Sequence, residues 1–120
     1  VSQYLPGIRL SGSTRTLTSN LREAQEKAVT EQNQHLVRFF PTATPPYYQF
    51  IRIYQSNEEL IRQVNLTSNE ILTVDPAITG SQIIFSADGG PSSSGNITLS
   101  LVSGVQKIIN ISPAGFISIQ

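Results

Sequence analysis

One helical pattern opens this chain and is never repeated, and everything after Asn33 reads as strand and turn. Over residues 7–33 the larger apolar side chains fall at Leu10, Leu17, Leu21, Ala24 and Ala28, a seven-residue rhythm of fours and threes that draws one narrow stripe along a polar helix. Period-two alternation then marks strands at His35–Phe40, Tyr47–Tyr54, Gln82–Phe85 and residues 96–101, 105–111 and 115–119. A lone helix ahead of a series of strands can bury its stripe only against the sheet those strands form. The expected class is α+β, a long N-terminal helix packed against an antiparallel β-sheet.

At 120 residues the chain is expected to be a single domain, able to bury roughly two-thirds of its unfolded surface without a metal or disulfide. Eight Lys and Arg balance eight Asp and Glu, so no overall field draws in nucleic acid, acidic lipid or a charged substrate. Charged residues are only 13%, which leaves uncharged polar groups to cover the surface, a pattern more usual in exported proteins. Cysteine is absent, which excludes disulfides and thiolate metal ligation. Methionine is absent even from position 1, from which a processed or truncated product is expected. No stretch approaches the roughly 20 apolar residues that span a bilayer.

The first eight residues are apolar enough to carry the stripe backward through Leu5 and Tyr4, with Pro6-Gly7 starting or kinking the helix. Glu23 and Lys27 stand four apart and support the helix surface. The stripe spans too few heptads for a coiled-coil seam, and alanine at its two late positions suits close packing under a sheet. Phe39 to Tyr48 reads as two strands around a proline-stiffened loop, a hairpin. Tyr48, Phe50, Ile51 and Ile53 are apolar on both parities, so their strand is expected inside the sheet, touching the helix on one face. Residues 60–66 and 71–74 give short strands, with Asn57-Glu58-Glu59 and Asp75-Pro76 as separators. The last three strands form a meander.

Candidate chemistry is sparse. His35, the one histidine, sits at the helix-to-strand junction, where a loop or cap role is expected. Asp75 and Asp88 precede Pro and Gly, as turn-initiating aspartates do. Asp88 is the candidate metal ligand, in a serine-rich loop suited to calcium, but one carboxylate is too few for a site. That loop has no P-loop lysine and opens onto a strand, so it is no phosphate cradle. Asn65, Asn96 and Asn110 begin glycosylation-type triplets that chance explains in so polar a chain. Arg38, Tyr47, Tyr48, Arg52 and Tyr54 form the candidate ligand surface, an aromatic and basic set of the kind that stacks single-stranded nucleic acid, although aromatics on strands more often pair across the sheet. No catalytic constellation and no cofactor site emerge.

Three runs resemble a known family. Ile83-Ile-Phe-Ser-Ala-Asp-Gly-Gly, Gly95-Asn-Ile-Thr-Leu and Val105-Gln-Lys-Ile-Ile-Asn-Ile-Ser-Pro-Ala-Gly-Phe-Ile-Ser-Ile resemble the C-terminal block of bacterial type IV pilin-like proteins of the GspH and FimT type. The helical segment from Leu17 to Asn33 resembles that family's Leu- and Ala-spaced helix running into the first strand. The resemblance implies a pilin-like fold in which residues 1–33 are the soluble half of a longer helix and residues 34–120 the sheet region. It implies a non-enzymatic minor pilin or pseudopilin of a type IV pilus, type II secretion or competence pseudopilus, with a pilus-borne DNA or surface receptor as the alternative. Other pilins would be its partners, an absent N-terminal hydrophobic helix its inner-membrane anchor, and the bacterial cell envelope its location. Departures are the lack of Cys and Trp and a tail, from Gly115 to Gln120, without one basic residue. FimT-type DNA receptors tend to carry arginine there, which weakens the DNA-uptake alternative.

Overall fold

A computed structural model of the chain describes residues 5–120, with side chains from Arg9 onward. The backward extension of the stripe through Leu5 and Tyr4 lies outside the described side chains. Helix α1 (Leu5–Glu31) begins just before Pro6, in a first turn where a missing N–H loses no intrahelical bond. It stops two residues short of the expected end because Gln32 adopts a left-handed φ of 55°.

Eight strands follow. They are β1 (His35–Phe40), β2 (Tyr47–Tyr54), β3 (Asn57–Asn65), β4 (Glu70–Val74), β5 (Gln82–Phe85), β6 (Gly95–Leu101), β7 (Gln106–Ile111) and β8 (Ile117–Ile119). They divide into two antiparallel four-stranded sheets, ordered β3-β2-β1-β5 and β4-β6-β7-β8. The helix packs on both. The β1–β2 hairpin and the β6–β7–β8 meander have the expected connectivity, and β2 is interior to its sheet.

β3 departs most from expectation. Asn57-Glu58-Glu59, read above as a separator, lies inside this strand. The turn is instead Gln55-Ser56, two residues at φ 52° and 67° that reverse the chain in the positive-φ conformation a tight hairpin needs. The glutamates stay in the ladder because Glu59 stands opposite Arg52 and bonds it at 2.9 Å. The ladder then slips, since Phe50 faces Arg62 while Ile51 faces Leu60, which leaves Ile61 as the extra residue of a β-bulge.

A single hydrophobic cluster joins α1 to both sheets. Leu10, Leu17, Leu21, Ala24 and Ala28 are all 0% exposed within it. Thr14 fills the gap between Leu10 and Leu17, buried, with its hydroxyl donating to the Leu10 carbonyl at 2.7 Å, and Thr18 does the same to Thr14 at 2.8 Å. These back-bonds let polar residues occupy the apolar stripe without an orphaned donor. On the far side of the first sheet a second apolar row crosses all four strands, Ile84–Leu36–Ile51–Leu60.

Candidate functional site

The register of the first sheet decides where the five candidate ligand residues fall. Residues directly opposite share a face, and faces alternate along each strand. Tyr48 points into the core, and four and six residues on, Arg52 and Tyr54 keep to that helix-facing side. Arg38 and Tyr47 belong to the opposite face. The five therefore form no common surface.

Each is also engaged. Tyr48 is 1% exposed, and its hydroxyl accepts a bond from Asn20 Nδ2 on α1 at 3.2 Å. Burial pushes its phenol up to about 12, against the weaker opposing pull of the Asn20 bond. Tyr47 stacks on Phe40, ring centroids 4.4 Å apart. Arg38 holds Glu58 through two bonds at 3.0 and 2.7 Å, which raises the guanidinium and lowers the carboxyl. Arg52 bonds Glu59 and Glu31 and lies 4.9 Å over the Tyr54 ring. Arginines satisfied within the domain are poor recruits for phosphate.

His35 is not in a loop. It is the first residue of β1, fully buried and edge-on to Phe50. Its Nδ1 lies 2.9 Å from the Asn33 carbonyl, which can only accept, so Nδ1 carries the proton and Nε2 faces Glu31 Oε1 at 3.4 Å. The ring lies inside because β1 leaves the helix directly over the core. Asp88 closes its own turn, accepting from the Ser86 hydroxyl and from the Gly90 N–H at 2.9 Å; the two bonds, the hydroxyl's first, lower its carboxyl. Among the described residues no three His, Asp or Glu side chains assemble as metal ligands. Asn96 and Asn110 pair across strands at 2.9 Å.

Concavity is found elsewhere, between α1 and β8. An open depression of about 540 Å³ is bordered by Arg22, Val29 and Phe116. A second, about 310 Å³, shares Arg22 and Glu26 with it, and a third, about 170 Å³, shares Arg15 and Ile119 with the second. Together they make one trough along the helix. Sequence patterning gave no hint of it, because its walls are polar helix positions and a three-residue strand. Such a trough can hold a chain by contact and charge, and it offers no paired nucleophile and base.

The helix-first order and the two sheets set a fold that can be compared with others. The profile of the family described as type II transport protein GspH matches residues 13–115. The chain belongs to this family. None of the curated protein sequences is similar enough to count as a relative of it. Among solved structures, this GspH-family chain is similar to the minor pseudopilin EpsH from the type 2 secretion system of Vibrio cholerae, at TM-score 0.76 and 13% identity over 93% of this chain and 96% of that one. It is similar also to the type IV minor pilin FimU of Pseudomonas aeruginosa PAO1, at TM-score 0.75 and 13% identity over 98% and 92% of the two chains. The GspH-family fold, one long helix on antiparallel sheets, is that of a pilin-like structural subunit. No described helix is long and apolar enough to cross a membrane.

Proposed function

We propose that this domain is the globular part of a minor pilin or pseudopilin, a non-enzymatic subunit that assembles with other pilin-like chains into a filament of the bacterial cell envelope. The observation that carries the reading is the family match across residues 13–115, which takes in α1 from Ser13 and every strand except β8. In this role α1 continues a helix that anchors the subunit in the inner membrane before assembly and packs along the filament afterwards. The stripe from Leu10 to Ala28 fixes the sheets to that helix, so force or position applied to the helix is transmitted to the whole domain.

The test is the encoded N-terminus and its processing. Expressed from its full gene with a prepilin peptidase, the protein is expected to lose a short leader ending in glycine ahead of a hydrophobic stretch with glutamate at its fifth mature position. It should then appear in the filament fraction sheared from cells. Cleavage by a conventional signal peptidase instead, with none of the protein in filaments, sinks the reading.

A further inference from the structure

The edges at β5, β3 and β8 are finished unequally. Along β5 the Ser92 N–H donates to the Ile84 carbonyl at 2.8 Å and the Ser92 hydroxyl accepts from the Ile84 N–H at 3.0 Å, so the loop covers that edge. β3 carries a bulge and three charged residues, Glu58, Glu59 and Arg62, devices that discourage strand addition. β8 has neither cover nor bulge. Its ladder with β7 is bracketed by bonds from the Ser112 N–H to the Phe116 carbonyl at 2.9 Å and from the Gln120 N–H to the Ile108 carbonyl at 2.8 Å. Antiparallel alternation therefore turns the main-chain groups of Ile117 and Ile119 away from β7, toward the trough. Arg22 Nη2 takes the Ile117 carbonyl at 2.9 Å. The Ile117 N–H and both main-chain groups of Ile119 have no hydrogen-bond partner among the described residues.

Charge is distributed just as unevenly. Lys27, Arg38, Arg52 and Arg62 each lie within 4.0 Å of a carboxylate. Of the other four, Arg9 near the start of the helix and Arg15, Arg22 and Lys107, which line the trough, have no such partner among the described residues. A chain with zero net charge thus keeps three uncompensated cations beside one open strand edge. Apolar surface adjoins them, with Phe116 75% and Ile119 43% exposed.

We propose that the trough between α1 and β8 receives an extended acidic segment of a partner polypeptide, which adds to β8 as a further strand of the second sheet. The segment's main chain pairs with Ile117 and Ile119. Its N–H replaces Arg22 on the Ile117 carbonyl, and the released guanidinium takes a carboxylate of the segment, as Arg15 and Lys107 take others. From Ser11 to Thr30 the helical wall runs roughly 28 Å at 1.5 Å per residue. That length holds about eight residues of extended chain. A polypeptide fits better than nucleic acid because the open edge offers an acceptor as well as donors, and phosphate oxygens leave that acceptor unmatched. The inference stands on the groove's own chemistry and does not depend on the filament role.

The test uses capped peptides of about nine residues in which Glu alternates with Val, Ile or Thr, titrated onto the protein by fluorescence anisotropy, with amide exchange read at Ile117 and Ile119. The acidic pool is expected to bind at least about tenfold more tightly than the same pool with Lys for Glu, and to slow exchange at both amides. N-methylation of alternate peptide amides, and Ile119→Pro in the protein, should each weaken binding by about tenfold or more. The Ile119 N–H has no partner among the described residues, so the proline should leave the thermal transition in place; if it does not, the Arg15→Gln, Arg22→Gln double variant replaces it and should erase the preference for Glu over Lys. No binding at millimolar peptide, equal binding of the Lys pool, binding untouched by both variants, or a single-stranded oligonucleotide bound more tightly than the acidic pool would each overturn the proposal.

Discussion

Gln25 Nε2 on α1 donates to the Gly115 carbonyl at 2.8 Å and, with its other hydrogen, to the Gly89 carbonyl at 2.9 Å. One side chain thereby ties the helix to the β5–β6 loop and to the β7–β8 turn. Gly115 makes the approach work. Its φ is +95°, and a Cβ there would sit 2.8 Å from Gln25 Nε2 and 3.2 Å from the Gly89 carbonyl oxygen.

Gly115→Ala is expected to destabilise the domain by about 1–3 kcal/mol through backbone strain and displacement of Gln25. Gln25→Ala should cost about 1–3 kcal/mol by leaving two part-buried carbonyls unpaired. The double variant should cost less than the sum, because both changes break the same contact. Urea unfolding of the four proteins reads all three values, and strict additivity would refute the coupling.

Leu21, 0% exposed in the middle of the stripe, is held between α1 and the sheets. Leu21→Ala is expected to cost about 2–5 kcal/mol by leaving a cavity. Ala24→Leu should also destabilise, by about 1–3 kcal/mol, since the helix approaches the sheets closely at its alanines. A thermal shift near zero for either would show that the stripe is not packed as described.

Thr14 separates the worth of the stripe's shape from that of its hydroxyl. The hydroxyl bonds only the Leu10 carbonyl, an acceptor already used by the helix, so Thr14→Val should change stability by less than about 1 kcal/mol. Thr14→Asp, which buries a charge with no partner, should cost more than about 3 kcal/mol or unfold the protein. Circular dichroism melts of the pair give the comparison.

Tyr48 makes stability depend on alkaline pH. Its phenol is ordinary in the unfolded chain, near 10, and about 12 in the folded one, so folding favours the protonated form. The contribution is complete below pH 10 and is lost as pH rises from there through about 12, when the unfolded tyrosine ionises and the buried one does not. The loss should amount to about 2–3 kcal/mol, from a displacement of about two pKa units at 1.36 kcal/mol each. Tyr48→Phe should flatten that part of the profile, measured as denaturant midpoints against pH. A wild-type profile already flat between pH 10 and 12 would count against it.

Much of this architecture could be read before the structure. The stripe residues, the β1–β2 hairpin and the terminal meander depend on side-chain period and on turn residues, both local properties. Thr14 was legible in hindsight, since it occupies the one empty beat of the Leu10–Leu17 spacing, but a hydroxyl counts as polar until its bond to Leu10 is known. β3 was misread because Glu58 and Glu59 look like a break, and only Arg52 opposite Glu59 and Arg38, reaching Glu58 from two strands away, neutralise them in the strand. The tyrosines and arginines of β1 and β2 looked like one patch for a related reason. Composition counts them together, while the pleat sends Arg38 and Tyr47 one way and Tyr48, Arg52 and Tyr54 the other.

By itself the sequence determined the order of elements, the face of α1 that is buried and the resemblance to pilin-like proteins, because each depends on spacing along the chain. Only the tertiary structure decided that the strands form two sheets, which arginines are neutralised, and that β8 is left with an open edge beside Arg15, Arg22 and Lys107. Those outcomes rest on main-chain pairing and charge contacts between residues far apart in sequence, and no local period carries information about which distant strand or carboxylate a residue will meet.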